Sequence, residues 1–142
     1  MKHYLITAPI LQHPDFDKPF YLHTDASGIG LGAVLAQKDD DRKREYAVAY
    51  ASRSLTKAEQ NYTTNEQECL AVIWAIEHFH QYFGTNHFYV VTDHAALKWL
   101  STTELKGRRA RWIIRLEAYN FTILHRAGKK HNNADFFSQL EN

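Results

Sequence analysis

The chain has 142 residues, of which 44% are hydrophobic and 23% are charged, so its size and composition are those of one globular domain. The formal net charge of +1 excludes a chain that is strongly basic or acidic throughout, and the single cysteine excludes an intramolecular disulfide. No apolar run approaches the roughly 20 residues of a membrane-spanning helix, and no signal-peptide core precedes the first prolines, so we expect a cytoplasmic protein without a secretion signal.

The first part of the sequence predicts three strands after an extended lead-in over residues 1–17. Aromatic and apolar segments at 20–27, 30–37 and 46–55 are separated by a glycine-containing turn and by the charged turn 38–45. Connections this short allow antiparallel pairing only, because parallel strands need a long crossover. The three strands therefore form a predicted antiparallel meander.

The rest of the sequence predicts helices that alternate with two more strands. Residues 63–84 are apolar around most of the helical circumference, which predicts a core helix that stops at Gly84. Its first turn offers two capping boxes, Thr63 with Glu66 and Thr64 with Gln67. A strand is predicted at 87–93 and a short helix at 95–102. A basic amphipathic helix follows at 105–120, with Trp112, Ile113 and Leu116 inward. The last two predicted elements are a strand at 121–127 and a short final helix at 134–142. This order predicts an α/β fold with a five-stranded mixed sheet, in which the meander is followed by crossovers and flanked by helices.

Three glycines at 28, 30 and 32 follow Asp25 and raise the question of a phosphate-binding loop. A dinucleotide-binding fingerprint has the pattern G-x-G-x-x-G and opens a helix. Here the pattern is G-x-G-x-G and the residues that follow it read as a strand, so no helix N-terminus is available for a phosphate. The glycines are better explained by a tight hairpin and by close approach of neighbouring backbones.

Acidic residues recur at the ends of the predicted elements. Asp25 and Asp93 end two strands, Glu66 and Glu68 lie in the first turns of the long helix, and Asp135 begins the last helix. Each acid alone fits a turn, a helix cap or the helix dipole. Together they form an all-oxygen donor set, which suits Mg²⁺ or Mn²⁺ rather than zinc. Helical spacing does not choose between Glu66 and Glu68.

The basic residues are concentrated in one segment. Residues 98–130 carry nine Lys or Arg against two Glu, whereas the remainder carries eight basic and fourteen acidic residues. This asymmetry is typical of a domain with one face toward a polyanion, and a solvated basic helix is the alternative. Arg108, Arg109 and Arg111 are the predicted phosphate contacts. For a polyanion that is a nucleic acid, Thr64 and Asn65, just before Glu68, are the predicted groove contacts, with helix capping as the alternative.

Five sequence blocks, in order over nearly the whole chain, resemble the ribonuclease H domain of gypsy-type LTR retrotransposon reverse transcriptases, which are parts of Pol polyproteins. The blocks are PDFDKPFYLHTDASGIGLGAVLAQ, VAYASRSLTKAEQNYTTNEQECLAVIWAIEHF, FYVVTDHAALKWL, GRRARWIIRLEAYNFTILHRAGK and NNAD. The resemblance implies a ribonuclease H-like fold over residues 18–142 and a junction with the polymerase or connection part over residues 1–17. It also implies a place in the virus-like particle of the cytoplasm.

The resemblance further implies a function and a set of site residues. The implied activity is metal-dependent hydrolysis of the RNA strand of RNA/DNA hybrids with two Mg²⁺ ions, for which Mn²⁺ can substitute, giving 5′-phosphate and 3′-hydroxyl ends. The implied metal ligands are Asp25, Glu68, Asp93 and Asp135, and Glu68 is preferred because ECLAV resembles a block of the family. His125 corresponds to a mobile histidine before the last acid. The sequence departs from the family at HRAG and at the two phenylalanines after Asp135.

Two other functions compete with this interpretation. A transposase or integrase of the same fold class ends its acidic triad with glutamate, and the order of acids here argues against it. A catalytically inactive ribonuclease H-like tether, which holds nucleic acid or packs against a neighbouring domain, has no need for four acids and a histidine. The active nuclease is therefore the predicted function, with RNA/DNA hybrid and the polymerase part of the polyprotein as partners and no membrane involved.

Overall fold

The computed structural model describes residues 10–40, 44–92 and 107–125, and in this part of the chain helices pack on a five-stranded sheet. The elements are β1 Tyr21–Ala26, β2 Gly30–Lys38, β3 Glu45–Ser54, α1 Lys57–Gln60, α2 Thr64–His78, α3 His80–Phe83, β4 Phe88–Thr92, α4 Gly107–Leu116 and β5 Phe121–His125. The predicted helices at 95–102 and 134–142 lie outside the described residues. Within them, no helix has the length and apolar character needed to cross a membrane.

The sheet has the strand order β3-β2-β1-β4-β5. The three meander strands pair antiparallel, as predicted, and β4 then pairs parallel to β1 and β5 parallel to β4. The change of direction follows from the chain length between β3 and β4, because the segment with α2 is long enough for a crossover. The predicted five-stranded mixed sheet is therefore confirmed.

Parallel pairing gathers the carboxyl ends of β1, β4 and β5 at one end of the sheet, which we call the site edge. These strands end at Ala26, Thr92 and His125, and Thr92 is the register partner of His125. The antiparallel β2 begins at the same edge, where Gly30 pairs with Ser54 at the end of β3. Loops at the carboxyl ends of parallel strands are the usual place for ligands in α/β sheets.

The hydrophobic core lies mainly between α2 and the sheet. Leu22, Leu35 and Val90 of the strands are fully buried with Ile73 and Ile76 of α2. Removing such a side chain from water contributes about 1.5–3 kcal/mol to folding. The core thus fixes α2 firmly over the centre of the sheet, with its first turns near the site edge.

The long helix predicted over residues 63–84 is wrong in one respect, because it breaks at Phe79. Phe79 has φ −101° and ψ 19°, and the short α3 follows it and ends at Gly84, which has φ 55°. The Phe79 ring is buried and contacts the edge of the Tyr82 ring at a centroid distance of 5.9 Å. Aromatic packing therefore overrides helix propensity at this position.

The described residues of the lead-in, 10–17, are hydrogen-bonded to the sheet. Leu11 forms a bridge with Ala47 of β3. The buried side-chain amide of Gln37 accepts the Asp15 N–H and donates to the Asp15 carbonyl, both at 2.8 Å. The amide thus replaces a backbone partner, which satisfies polar groups that would otherwise be costly to bury.

Candidate active site

Asp25 is the most deeply buried of the described acids at the site edge. It is the second-last residue of β1, its side chain is fully buried, and its Oδ1 accepts the backbone N–H of Ala26 at 2.9 Å. Its register partner on β2 is Gly32, which has no side chain. At the neighbouring Gly30, an added Cβ would lie 3.2 Å from the carbonyl oxygen of Arg53. These contacts agree with the predicted hairpin and close backbone approach.

The structure separates the two glutamates that the sequence leaves as alternatives. Glu66 caps α2, since its Oε1 accepts the Thr63 N–H at 2.9 Å while its own N–H donates to Thr63 Oγ1 at 3.2 Å. Glu68 is 4% exposed on the helix that packs over β1. The buried acid of α2 is therefore Glu68, and its role as a metal ligand stays a prediction.

Two buried carboxylates on neighbouring elements suit a hard cation. Moving a carboxylate out of water is costly unless a cation or several hydrogen bonds compensate it, and Asp25 and Glu68 offer oxygen donors only. Within residues 10–40, 44–92 and 107–125, no three His, Cys, Asp or Glu side chains are grouped for a metal ion. Asp93, which follows the last residue of β4 in sequence, and Asp135 lie outside these ranges.

His125 lies at the same edge as Asp25. It is the last residue of β5, its side chain is exposed, and its register partner Thr92 ends β4. An exposed imidazole at this place is accessible to a bound substrate and to water, which a proton carrier needs. Its catalytic role stays a prediction.

Residues 53–67, from the end of β3 through α1 to the first turn of α2, form a hydrogen-bonded wall beside the site edge, which the sequence pattern does not predict. Thr56 and Glu59 form a capping box on α1, and the Arg53 guanidinium binds both carboxylate oxygens of Glu59 at 2.8 and 3.1 Å. This ion pair lowers the pKa of Glu59 and raises that of Arg53. The buried Gln67 donates to the carbonyl of Glu59 at 3.1 Å, which ties the first turn of α2 to α1.

The role of Gln67 corrects one prediction and leaves two others open. The capping box of Thr64 with Gln67 is wrong, because the Gln67 amide is engaged with α1 and Thr63 caps the helix. Thr64 and Asn65 are exposed at the start of α2, beside the wall. Their exposure leaves them accessible to a ligand, and their predicted groove contacts stay predictions.

On the basic helix α4, Arg111 is exposed to solvent and Arg115 is paired with an acid. Trp112 and Leu116 are buried as predicted, Ile113 is half-buried, and Arg111 is exposed. Arg115 Nε donates to Glu77 Oε2 of α2 at 3.0 Å, and this pair raises the pKa of Arg115. The partners are 38 residues apart in sequence, so no local pattern signals the contact. The side chains of Arg108 and Arg109 lie outside the described part of the structure.

Residues 15–119 match the sequence family described as "RNase H-like domain found in reverse transcriptase". The chain is 41% identical over 142 residues to the retrovirus-related Pol polyprotein from transposon opus of Drosophila melanogaster, covering 99% of this chain and 14% of the polyprotein. It is 39% identical over 145 residues to the transposon Tf2-3 polyprotein of Schizosaccharomyces pombe, covering 99% of this chain and 11% of the polyprotein. The chain thus spans only about one seventh or less of these relatives.

Solved structures with the same fold come from viral and bacterial proteins. The foamy viral protease-reverse transcriptase in complex with RNA/DNA hybrid aligns with a TM-score of 0.53 and 20% identity, over 87% of this chain and 17% of that one. The N-terminal RNase H domain of rv2228c from Mycobacterium tuberculosis, solved as a fusion with maltose-binding protein, aligns with a TM-score of 0.53 and 15% identity, over 86% of this chain and 97% of that one. At this level of identity the likeness concerns the fold.

Proposed function

The chain belongs to the RNase H-like domain family of reverse transcriptases, and we propose that it is the ribonuclease H that hydrolyses the RNA strand of RNA/DNA hybrids during retrotransposon reverse transcription. The observation that carries the proposal is the burial of Asp25 and Glu68 on neighbouring elements at the site edge. A domain that only held nucleic acid would gain nothing from two acids removed from water, because they repel phosphate and cost desolvation energy.

The four predicted acids would hold two Mg²⁺ ions, or Mn²⁺ in their place. When bound, such ions polarise the scissile phosphate and lower the pKa of the attacking water. Asp25, Glu68, Asp93 and Asp135 supply the oxygen ligands, and the Ala26 N–H fixes the orientation of the Asp25 carboxylate. His125 moves a proton as the products leave. The products carry 5′-phosphate and 3′-hydroxyl ends.

The proposed substrate follows from the charge and shape around the site edge. Arg108, Arg109 and Arg111 of α4 bind phosphates, and Thr64 and Asn65 contact the minor groove, where an RNA strand presents its 2′-hydroxyl groups. The hybrid-bound foamy viral structure supports this class of ligand.

We also propose how the domain sits in a longer polyprotein. Residues 1–17 form the junction with the polymerase part and residues 18–142 form the ribonuclease H domain, which acts in cytoplasmic virus-like particles. The two hydrogen bonds between the Gln37 amide and the Asp15 backbone support a junction that packs against the domain. Limited proteolysis of the chain with chymotrypsin tests this, because a held junction is cut slowly after the exposed Phe16 and a loose one is cut quickly.

The experiment that tests the activity follows cleavage of a hybrid with an end-labelled RNA strand. Parallel reactions contain Mg²⁺, Mn²⁺ or EDTA, and the same RNA is also offered as single strand and as RNA duplex. We expect metal-dependent cutting of the RNA strand in the hybrid only. Hybrid binding without cutting under every metal condition would instead indicate the inactive holding domain.

A further inference from the structure

The lead-in carries a concentration of exposed apolar side chains. In the part of the chain that the structure describes, six large hydrophobic side chains are exposed, and three of them lie within residues 10–16: Ile10, Leu11 and Phe16. The Phe16 side chain is 63% exposed. Single exposed apolar residues are ordinary on a protein surface, whereas several in one short segment are typical of an interaction site.

Phe16 lies in a tight turn whose backbone is fixed by hydrogen bonds. The side-chain amide of Gln37 binds both the N–H and the carbonyl of Asp15. The Lys18 N–H donates to the Asp15 carbonyl at 3.0 Å, and the Asp17 N–H donates to Asp15 Oδ1 at 3.0 Å. The turn is therefore ordered before any partner arrives, so that little conformational entropy is lost when a partner covers the Phe16 ring.

The Phe16 ring is supported by the aromatic part of the core. It lies nearly parallel to the half-buried ring of Tyr82 in α3, at a centroid distance of 6.3 Å and an interplanar angle of 18°. Its contact with the buried Phe20 is edge-on, at 5.9 Å, and the Tyr82 ring meets Phe20 at 5.8 Å. An aromatic ring that is backed by the core and open to water is the kind of residue that anchors protein interfaces.

The surface around Phe16 is acidic, which indicates the class of its partner. Its two neighbours in sequence, Asp15 and Asp17, are exposed. Lys18 does not balance them, because its Nζ is paired with Asp40 Oδ1 at 2.9 Å. Exposed acids repel the phosphates of nucleic acids and of anionic lipids. The surface therefore suits a protein that offers an apolar recess with a basic rim.

The lead-in lies at the end of the sheet opposite to the site edge. The Gln12 N–H donates to the carbonyl of Ala47 in β3 at 2.8 Å, and Gln37, which binds Asp15, is near the end of β2. Seven residue steps of β2, or roughly 23 Å of strand, separate Gln37 from Gly30 at the site edge. A partner on the lead-in therefore leaves the site edge open.

We propose that the lead-in is the docking surface for the polymerase part of the polyprotein, with Phe16 as the anchor that enters an apolar recess. The inference rests on the proposed function, in which residues 1–17 join the two parts. A short connection gives the polymerase part an effective concentration on the order of millimolar at this surface. A symmetric dimer through the same surface is disfavoured, because it brings the acids Asp15 and Asp17 of two copies together.

The test measures by calorimetry the Kd of the whole chain for the polymerase part of the same polyprotein, prepared separately, without nucleic acid. Phe16→Ala should raise Kd at least about tenfold, as the loss of an aromatic anchor does. Phe16→Tyr keeps the ring and should restore most of the affinity. Ile29→Ala is the matched control, because Ile29 is 60% exposed but lies between β1 and β2 at the site edge, and it should bind like the parent.

Three results would overturn the inference. They are a parent chain that does not bind the polymerase part, a Phe16→Ala variant that binds it as tightly as the parent, and a dimer of the parent in sedimentation that Phe16→Ala dissociates. Hybrid cleavage by the isolated chain is a separate measurement that decides the proposed function. There, Phe16→Ala should cut at the rate of the parent, so a loss of docking with full cleavage places the effect of Phe16 on the partner.

Discussion

Asp25 of β1 and Glu68 of α2 are opposite to Arg111 of α4 in exposure as well as in charge. Asp25 and Glu68 are 0% and 4% exposed, whereas Arg111 lies in solvent. Buried charges are held in one geometry and interact strongly, because water screens them little. Exposed charges interact weakly and are screened by salt. The acids are therefore suited to an all-or-none chemical step, and the arginines to graded binding.

The largest effect should come from neutralising one of the predicted metal ligands. We expect Asp25→Asn, and likewise Asp93→Asn, to lower the rate of hybrid cleavage by about a thousandfold or more, which corresponds to about 4 kcal/mol of transition-state stabilisation. Asp17→Asn, which changes an exposed acid of the lead-in, is the control and should cut normally. The measurement is single-turnover cleavage, and a wild-type rate for Asp25→Asn would remove this residue from the site.

Metal should stabilise the fold through the same acids. Mg²⁺ at ten times its dissociation constant should add about 1.4 kcal/mol to the free energy of unfolding, or about 3–6 °C to the melting temperature. Asp25→Asn should lose most of this gain while keeping its stability in EDTA, because a buried charge has been removed. Thermal melts at matched ionic strength measure both. An equal shift in the variant would mean that the metal binds elsewhere.

The arginines of α4 should differ among themselves. Arg111→Ala should weaken hybrid binding and lower the slope of log K against log salt by about 1, as loss of one phosphate contact does. Arg115→Ala should change the slope less, because Glu77 already pairs with Arg115. Titrations over a salt series measure the two slopes. Identical slopes for both variants and the parent would make α4 a solvated face.

The smallest effect concerns pH. The Arg53 hydrogen bonds lower the pKa of Glu59 below 4.5, so the pair stabilises the fold above the unfolded pKa and this gain is lost as pH falls through the folded pKa. Arg53→Met keeps the capping bond of Glu59 to the Thr56 N–H and removes the charge. We expect a loss of less than about 1 kcal/mol at pH 7, because the pair is partly exposed. In urea unfolding the loss should shrink as pH falls through the folded pKa of Glu59, and a loss that is the same at every pH would attribute it to packing.

The sequence predicts the sheet well because its turns are short. A connection of three or six residues leaves antiparallel pairing as the only choice, and the long segment that contains α2 requires a crossover. The break at Phe79 could not be predicted, because it depends on the Tyr82 ring and on the core, which no local pattern describes.

The candidate site is predictable in its residue types and only in part in its geometry. Glu66 and Glu68 are both acids of the first turns of α2, and the sequence alone allows either to be the inward one. The capping bonds to Thr63 separate them in the structure. The pairs Arg53–Glu59 and Arg115–Glu77 were missed because they join residues of different elements, where sequence spacing carries no signal.

The central claim is that the buried Glu68 of α2 acts in the chemistry while the half-buried Glu66 caps the helix. Single-turnover cleavage of an RNA/DNA hybrid in Mg²⁺ by Glu66→Gln and Glu68→Gln tests this most directly, because the two variants make the same change two residues apart. We predict near wild-type cleavage for Glu66→Gln, whose amide oxygen still caps Thr63, and no detectable cleavage for Glu68→Gln with hybrid binding retained. Full activity of Glu68→Gln would contradict the account.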